Sequence, residues 1–249
     1  MNGTTLRLIS DRVVDVVPGQ ALTTLPGWTL DALNVGPFRS AQGYDAHFAR
    51  TMGSTCDFGD EFRFSDDTLL LETLILNVPE RNLDRGELAA WKESPVSPVL
   101  LRLHERESFL FDETTARHLA RDGSALLCFF DELVPTERRY RINVAPSLDL
   151  LSDDGRYYGW MLSWPVRHLI PGTLGGSSSP SQLEDDPGLV PLVYEYQQLV
   201  SDDTLDQLNE QDPALKAALT SLRERTCPPE TLSRRALQES IDELLDAFY

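Results

Sequence analysis

Residues 139–164 read RYRINVAPSLDLLSDDGRYYGWMLSW, and this stretch decides the fold class. Apolar and aromatic residues flank Ser152-Asp153-Asp154-Gly155 on both sides. Asp-Gly readily supplies the positive φ angles of a tight hairpin turn, so the spacing predicts antiparallel strands over Arg139–Leu150 and Tyr157–Trp164. On the second strand, period-two alternation puts Tyr158, Trp160, Leu162 and Trp164 on one face. Tyr157, Met161 and Ser163 take the other. One face belongs to a core. Large aromatics are also the usual anchors of protein interfaces, so Tyr158, Trp160 and Trp164 are candidates for a partner surface.

The same pattern extends outward. Thr4–Ile9 and Arg12–Val17 read as strands, broken by Pro18-Gly19. Glu61–Phe64 alternates strictly and turns at Asp66-Asp67 into Thr68–Val78, a second hairpin. Pro98–Leu103 and Ser108–Phe111 read as a strand pair, Thr114–Arg121 as a short helix ended by Gly123, and Ala125–Phe130 as a buried strand. Short turns join these pieces, which favours antiparallel pairing.

From Pro171 to Gly188 the chain is mostly Gly, Ser and Pro, the composition of a linker or mobile loop. Helix signals follow. Asp212-Pro213 supplies an N-cap and a first-turn proline, and Leu237, Ile241, Leu244, Leu245 and Phe248 form an apolar stripe at helical spacing. The class expected is α+β: an antiparallel β-rich body over 1–170, a flexible linker or loop over 171–188, and an acidic helical C-terminal part over 189–249. The stripe within 237–248 must bury on the body or on a second copy of the chain, which leaves a homo-oligomer open.

Charge narrows the function classes. The 249 residues carry 22 Lys and Arg against 40 Asp and Glu, a net charge of −18. Residues 175–249 alone hold 15 acids and 5 bases, which makes the tail more than twice as negative per residue as the rest. Such a field repels nucleic-acid phosphates and anionic membranes, and it steers a basic protein partner inward. The N-terminus has no basic segment leading into an apolar run, and the longest apolar runs are far too short to span a bilayer. The three cysteines are odd in number and widely spaced, which fits neither a disulfide framework nor a zinc motif. Cytoplasm is the expected compartment. Arginine outnumbers lysine 20 to 2, the bias expected of a GC-rich bacterial genome.

Local motifs carry little chemistry. Cys56 lies in a loop of small residues, and His47 is the base that could activate its thiol. His104, Glu105, Glu107, Asp112, Glu113 and His118 are the densest set of potential metal ligands, but their spacing fits no zinc motif, so no metal is expected. Asp131-Glu132 follows a buried strand directly, and His168 precedes a loop that could close as a lid. Thr173–Ser179 has glycines but no Lys-Ser/Thr pair, which excludes a phosphate loop. No cofactor is expected.

The function expected is that of an acidic bacterial cytoplasmic binding protein, an antitoxin- or immunity-type inhibitor or escort of a basic protein. Asp202, Asp203 and Asp206 of the acidic tail would pair with the partner's Lys and Arg. The alternative is a hydrolase or transferase whose site gathers His47, Cys56, His104, Asp112, His118, Asp131 and His168 from across the chain. A self-associating structural subunit is the second alternative.

Overall fold

The segment that decides the class forms three strands rather than two. A computed structural model of the chain describes residues 5–8, 12–19, 21–37, 41–54, 59–172, 183, 185–228 and 230–249. Arg139–Ala145 and Leu148–Asp153 are separate strands, because Ser147, at φ 64°, turns the chain between them. Arg156–Ser163 returns across the Asp154-Gly155 turn, and the three make an antiparallel meander.

Numbered in chain order, the strands are β1 (Thr5–Arg7), β2 (Val13–Pro18), β3 (Gly27–Trp28), β4 (Ala32–Val35), β5 (Thr51–Gly53), β6 (Glu61–Ser65), β7 (Leu71–Asn77), β8 (Val96–Arg102), β9 (Ala116–Leu119), β10 (Ala125–Phe129), β11 (Arg139–Ala145), β12 (Leu148–Asp153) and β13 (Arg156–Ser163). The helices are α1 (Ala41–Phe48), α2 (Leu88–Glu93), α3 (Val190–Leu199), α4 (Leu205–Asn209), α5 (Pro213–Thr226) and α6 (Leu232–Phe248). The α+β class holds: two antiparallel-rich sheets, with most of the helix in the C-terminal part.

The larger sheet runs β1-β2-β8-β11-β12-β13-β10-β9. β1 also pairs with the start of β13, where the Arg7 N–H donates to the Gly155 carbonyl at 2.8 Å. Six strands therefore close into a ring, and β10 and β9 continue from β13 as a flap. At Gly159, β13 passes from one neighbour to the other. The register slips between Leu151 and Ser152, so Tyr158 is an extra residue on β13. A Cβ on Gly159 would meet the Cys128 carbonyl at 2.1 Å, and its φ of +152° suits glycine.

That bulge corrects the simple alternation. Tyr157, Trp160 and Leu162 enter the main core, while Tyr158 and Met161 enter a second, smaller one with Trp91 and Phe129. The smaller sheet, β3-β4-β7-β6-β5, is wholly antiparallel and includes the expected β6–β7 hairpin.

Two local expectations fail. Ser108–Phe111 does not pair with β8, whose neighbours are β2 and β11. Instead Phe109 and Phe111 turn inward and pack in a cluster with Phe62, Phe64 and Tyr157. Thr114–Arg121 is not a helix; its centre is β9, where pairing to β10 and burial on both faces override local propensity.

The helices share the main core with the strands. Val193 and Tyr196 of α3 join Leu219 and Leu222 of α5 and Leu237 and Ile241 of α6 in that single cluster. The α6 stripe thus buries on the chain's own body, with Leu244, Leu245 and Phe248 half-buried beside it. Asp212 caps α5 as expected, accepting from the N–H groups of Ala214 at 2.7 Å and Leu215 at 2.9 Å. Of the 171–188 stretch, 173–182 and 184 lie outside the described residues. No helix among the described residues is long and apolar enough to cross a membrane.

Candidate functional site

A groove follows the seam between the strand body and the C-terminal helices. Three loops build its walls. The loop before β9 is anchored by Phe109 and Phe111 in the aromatic cluster, which holds Asp112, Glu113 and Thr115 at the surface and Thr114 just beneath it. The β3–β4 turn is tied by the Val78 N–H, which donates to the Asp31 carbonyl at 2.8 Å, and by the Thr29 hydroxyl on the Asp31 carboxylate. That first bond also sets the path of Pro79 and Glu80. α3 and α6 close the far side.

Three cavities share wall residues, and the C-terminal part contributes to the second and third of them. The first, 430 Å³, opens at the mouth of the ring and is walled by Asp112, Glu113 and Glu132 with Arg7, Arg156 and Tyr157. The second, 420 Å³, shares Glu113 and Thr115 with it and adds Asp31, Glu80, Arg81 and Asp202. The third, 330 Å³, shares Asp31 and Glu80 and adds Glu243 and Arg117. Seven carboxylates therefore line the three cavities: Asp31, Glu80, Asp112, Glu113, Glu132, Asp202 and Glu243. Among the described residues none of the seven has a cationic group within 4.0 Å. Of the arginines on the walls, Arg81 pairs with Asp131 and Arg117 is committed to helix carbonyls, while Arg7 and Arg156 share the first cavity with Asp112, Glu113 and Glu132 at more than ion-pair distance.

Two features of the floor add to this. The Thr114 hydroxyl lines the middle cavity, is 1% exposed as a residue, and has no hydrogen-bond partner among the described residues. Beneath it Asp60 is wholly buried, accepting from the Asn77 N–H at 2.9 Å and facing the Tyr157 hydroxyl at 3.4 Å. Burial pushes the Asp60 carboxyl well above its usual range, and the charge of Glu113 pushes it further. Glu113 itself is raised by partial desolvation in the wall.

Of the seven residues weighed as an enzyme site, the six that are described do not all converge. Asp112 lines the groove, and Asp131 stands just outside it, exchanging hydrogen bonds with Thr115 at 2.7 and 2.8 Å. The histidines lie in four separate places. His47 is buried under α1, its Nε2 2.7 Å from the Thr73 hydroxyl, and His104 meets Asp15 at 2.8 Å on the exterior. His118 lines a different cavity, beside Asp84 at 3.6 Å. His168 is buried with Nδ1 3.0 Å from the Pro26 carbonyl, and burial pushes its pKa down. Cys56 lies outside the described residues, so its pairing with His47 does too. No group of three or more His, Cys, Asp or Glu among the described residues is placed to hold a metal ion.

No family model, no curated protein and no solved structure matches this chain. What the groove does follows from its own chemistry.

Of the residues weighed for a partner surface, Asp202 lines the groove and Asp203 and Asp206 are exposed beside it. Trp164 is 49% exposed, with Arg167 over its ring at 5.3 Å. Tyr158 and Trp160 are corrected: at 1% and 0% exposure they are core side chains, because β13 is covered on both faces.

Two features had no sequence signal. Arg117 sits on β9 at 4% exposure and donates to the carbonyls of Gln197 and Val200, clamping the negative end of α3 onto the body. Arg63, 2% exposed, donates to carbonyls of Phe48, Thr51 and Ser54 and lies 3.6 Å from Glu61. An arginine inside a strand pattern reads as solvent-facing, and only the packing of α1 over the sheet hides this one.

Proposed function

We propose that this chain is a non-enzymatic binding protein that takes a basic, Arg- or Lys-rich segment of a protein partner into the seam groove. It would act as an inhibitor or escort of antitoxin or immunity type in a bacterial cytoplasm. One observation carries the reading: seven carboxylates line three cavities that share wall residues, and among the described residues none has a cation of its own chain within 4.0 Å. Exposed like charges held together repel one another and add nothing to the fold, whereas an incoming guanidinium or ammonium gains from all of them at once. The scattered histidines supply no converged acid, base and nucleophile to set against this.

The test is binding of an oligo-arginine peptide, followed by fluorescence anisotropy, to the parent chain and to a Glu80→Gln/Glu113→Gln/Asp202→Asn variant. The variant is expected to lose at least about tenfold in affinity. Parent binding should weaken steadily as salt rises to about 0.5 M. Equal affinity in parent and variant, or indifference to salt, would overturn the proposal. Capture from a host lysate with elution by salt then identifies the natural partner.

A further inference from the structure

A fourth cavity, 560 Å³, opens on the opposite side of Arg117, between α2, β9, the β9–β10 turn and α3. Its character is the reverse of the groove's. Lys92, one of two lysines in the chain, lines it with Arg117, His118 and Arg121. None of Lys92, Arg117 and Arg121 has a carboxylate within 4.0 Å among the described residues, in a protein where acids outnumber bases 40 to 22. Their direct hydrogen-bond partners in the cavity are neutral, Lys92 donating to the Ser124 hydroxyl and Arg121 to the Tyr194 hydroxyl at 3.2 Å, while the charge of Lys92 also reaches Asp122.

The two acids on this wall are engaged locally. Asp122 accepts from the Ser124 N–H and hydroxyl, and Asp84 accepts from the Gly86 N–H at 2.8 Å while facing His118. Leu83, Leu88 and Leu119 supply an apolar side.

We propose that this cavity binds a small phosphate monoester with an apolar body, the phosphate held by Lys92 and Arg121 and the body lying against Leu83, Leu88 and Leu119. A tetrahedral dianion accepts from several donors at once, which suits an ammonium and a guanidinium reaching in from separate elements. Arg117 at the base adds a cation that is fixed in place by α3 and loses no freedom when the ligand arrives. The volume lies within the usual range for small-molecule sites, about 300–1,000 Å³. The inference stands apart from the groove, whose carboxylates take no part in it.

The probes are phenyl phosphate, inorganic phosphate and phenol, titrated into the full chain and followed by amide shifts in NMR. Phenyl phosphate is expected to move amides of residues 82–84, 118–124 and 194–198, and to bind about tenfold tighter than inorganic phosphate. Phenol should move none of them. Lys92→Met and Arg121→Met, both at exposed positions, should each weaken phenyl phosphate about tenfold. The parent titration locates the site even if a variant folds poorly. Absence of shifts at about 10 mM phenyl phosphate would overturn the proposal. So would equal affinity for the two phosphates, or shifts that both variants leave unchanged, which would mark an adventitious ion only.

Discussion

The polar cluster beneath α1 and the groove at the seam both concentrate charge, and they differ in where that charge ends. Beneath α1, Arg63 meets Glu61, three backbone carbonyls and the Phe48 ring at 3.8 Å, and the Tyr44 hydroxyl donates to Glu61 at 2.8 Å. His47 and Thr73 extend the cluster inside the same layer. The two buried charges there, Arg63 and Glu61, face each other within the chain. In the groove the carboxylates are exposed and have no cation within 4.0 Å among the described residues. Charge that is paired and buried holds parts of a fold together; charge left exposed and unpaired is available to another molecule.

The sharpest way to break this contrast is at Arg63. Arg63→Met leaves Glu61 buried without its cation and the end of α1 without its donors. Urea unfolding should show a loss of about 3–5 kcal/mol. A loss below about 1 kcal/mol would mean that the cluster is not structural.

Asp60 tests the boundary between the two regions, since it is buried like the first and lies under the second. Its carboxyl is raised in the folded chain from an ordinary value of 3.8, chiefly by burial. The neutral form's contribution to stability is therefore complete below that value and is lost as pH climbs through the raised folded pKa. Asp60→Asn should be more stable than the parent at about pH 7, and its stability should lack the parent's decline on the way up from about pH 4. Parallel stability profiles for the two chains across that range would mean that Asp60 is not held neutral.

The smallest expected effect is the most telling. The Glu80→Gln/Glu113→Gln/Asp202→Asn change should alter unfolding free energy by no more than about 0.5 kcal/mol, with any gain appearing at low salt. A clear destabilisation would make these acids part of the architecture, and the contrast would fail.

How much of this is legible in the sequence depends on how local the cause is. The β6–β7 hairpin, the Asp212 cap and the α6 stripe are readable because neighbours in sequence determine them. β9 reads as a helix because its burial on both faces comes from distant strands and α3. The Asp154-Gly155 turn is visible, but the turn at Ser147 is not, since serine at positive φ carries no composition signal. Of the groove's carboxylates, Asp112, Glu113, Glu132 and Asp202 stand out in the sequence, but as members of unrelated clusters. Asp31, Glu80 and Glu243 carry no signal, because separate loops and α6 bring them to the same set of cavities.

The sequence by itself determined the α+β class, the acidic excess and the helical, still more acidic C-terminal part, because composition and periodicity are local sums. Only the tertiary fold sets the closure of β1 onto β13, the reversal of Tyr158 by the bulge at Gly159, and the gathering of seven acids in one set of cavities and of Lys92, Arg117 and Arg121 in another. Charge counts add along a chain, but whether two charges face each other is settled only when the backbone has brought their elements together.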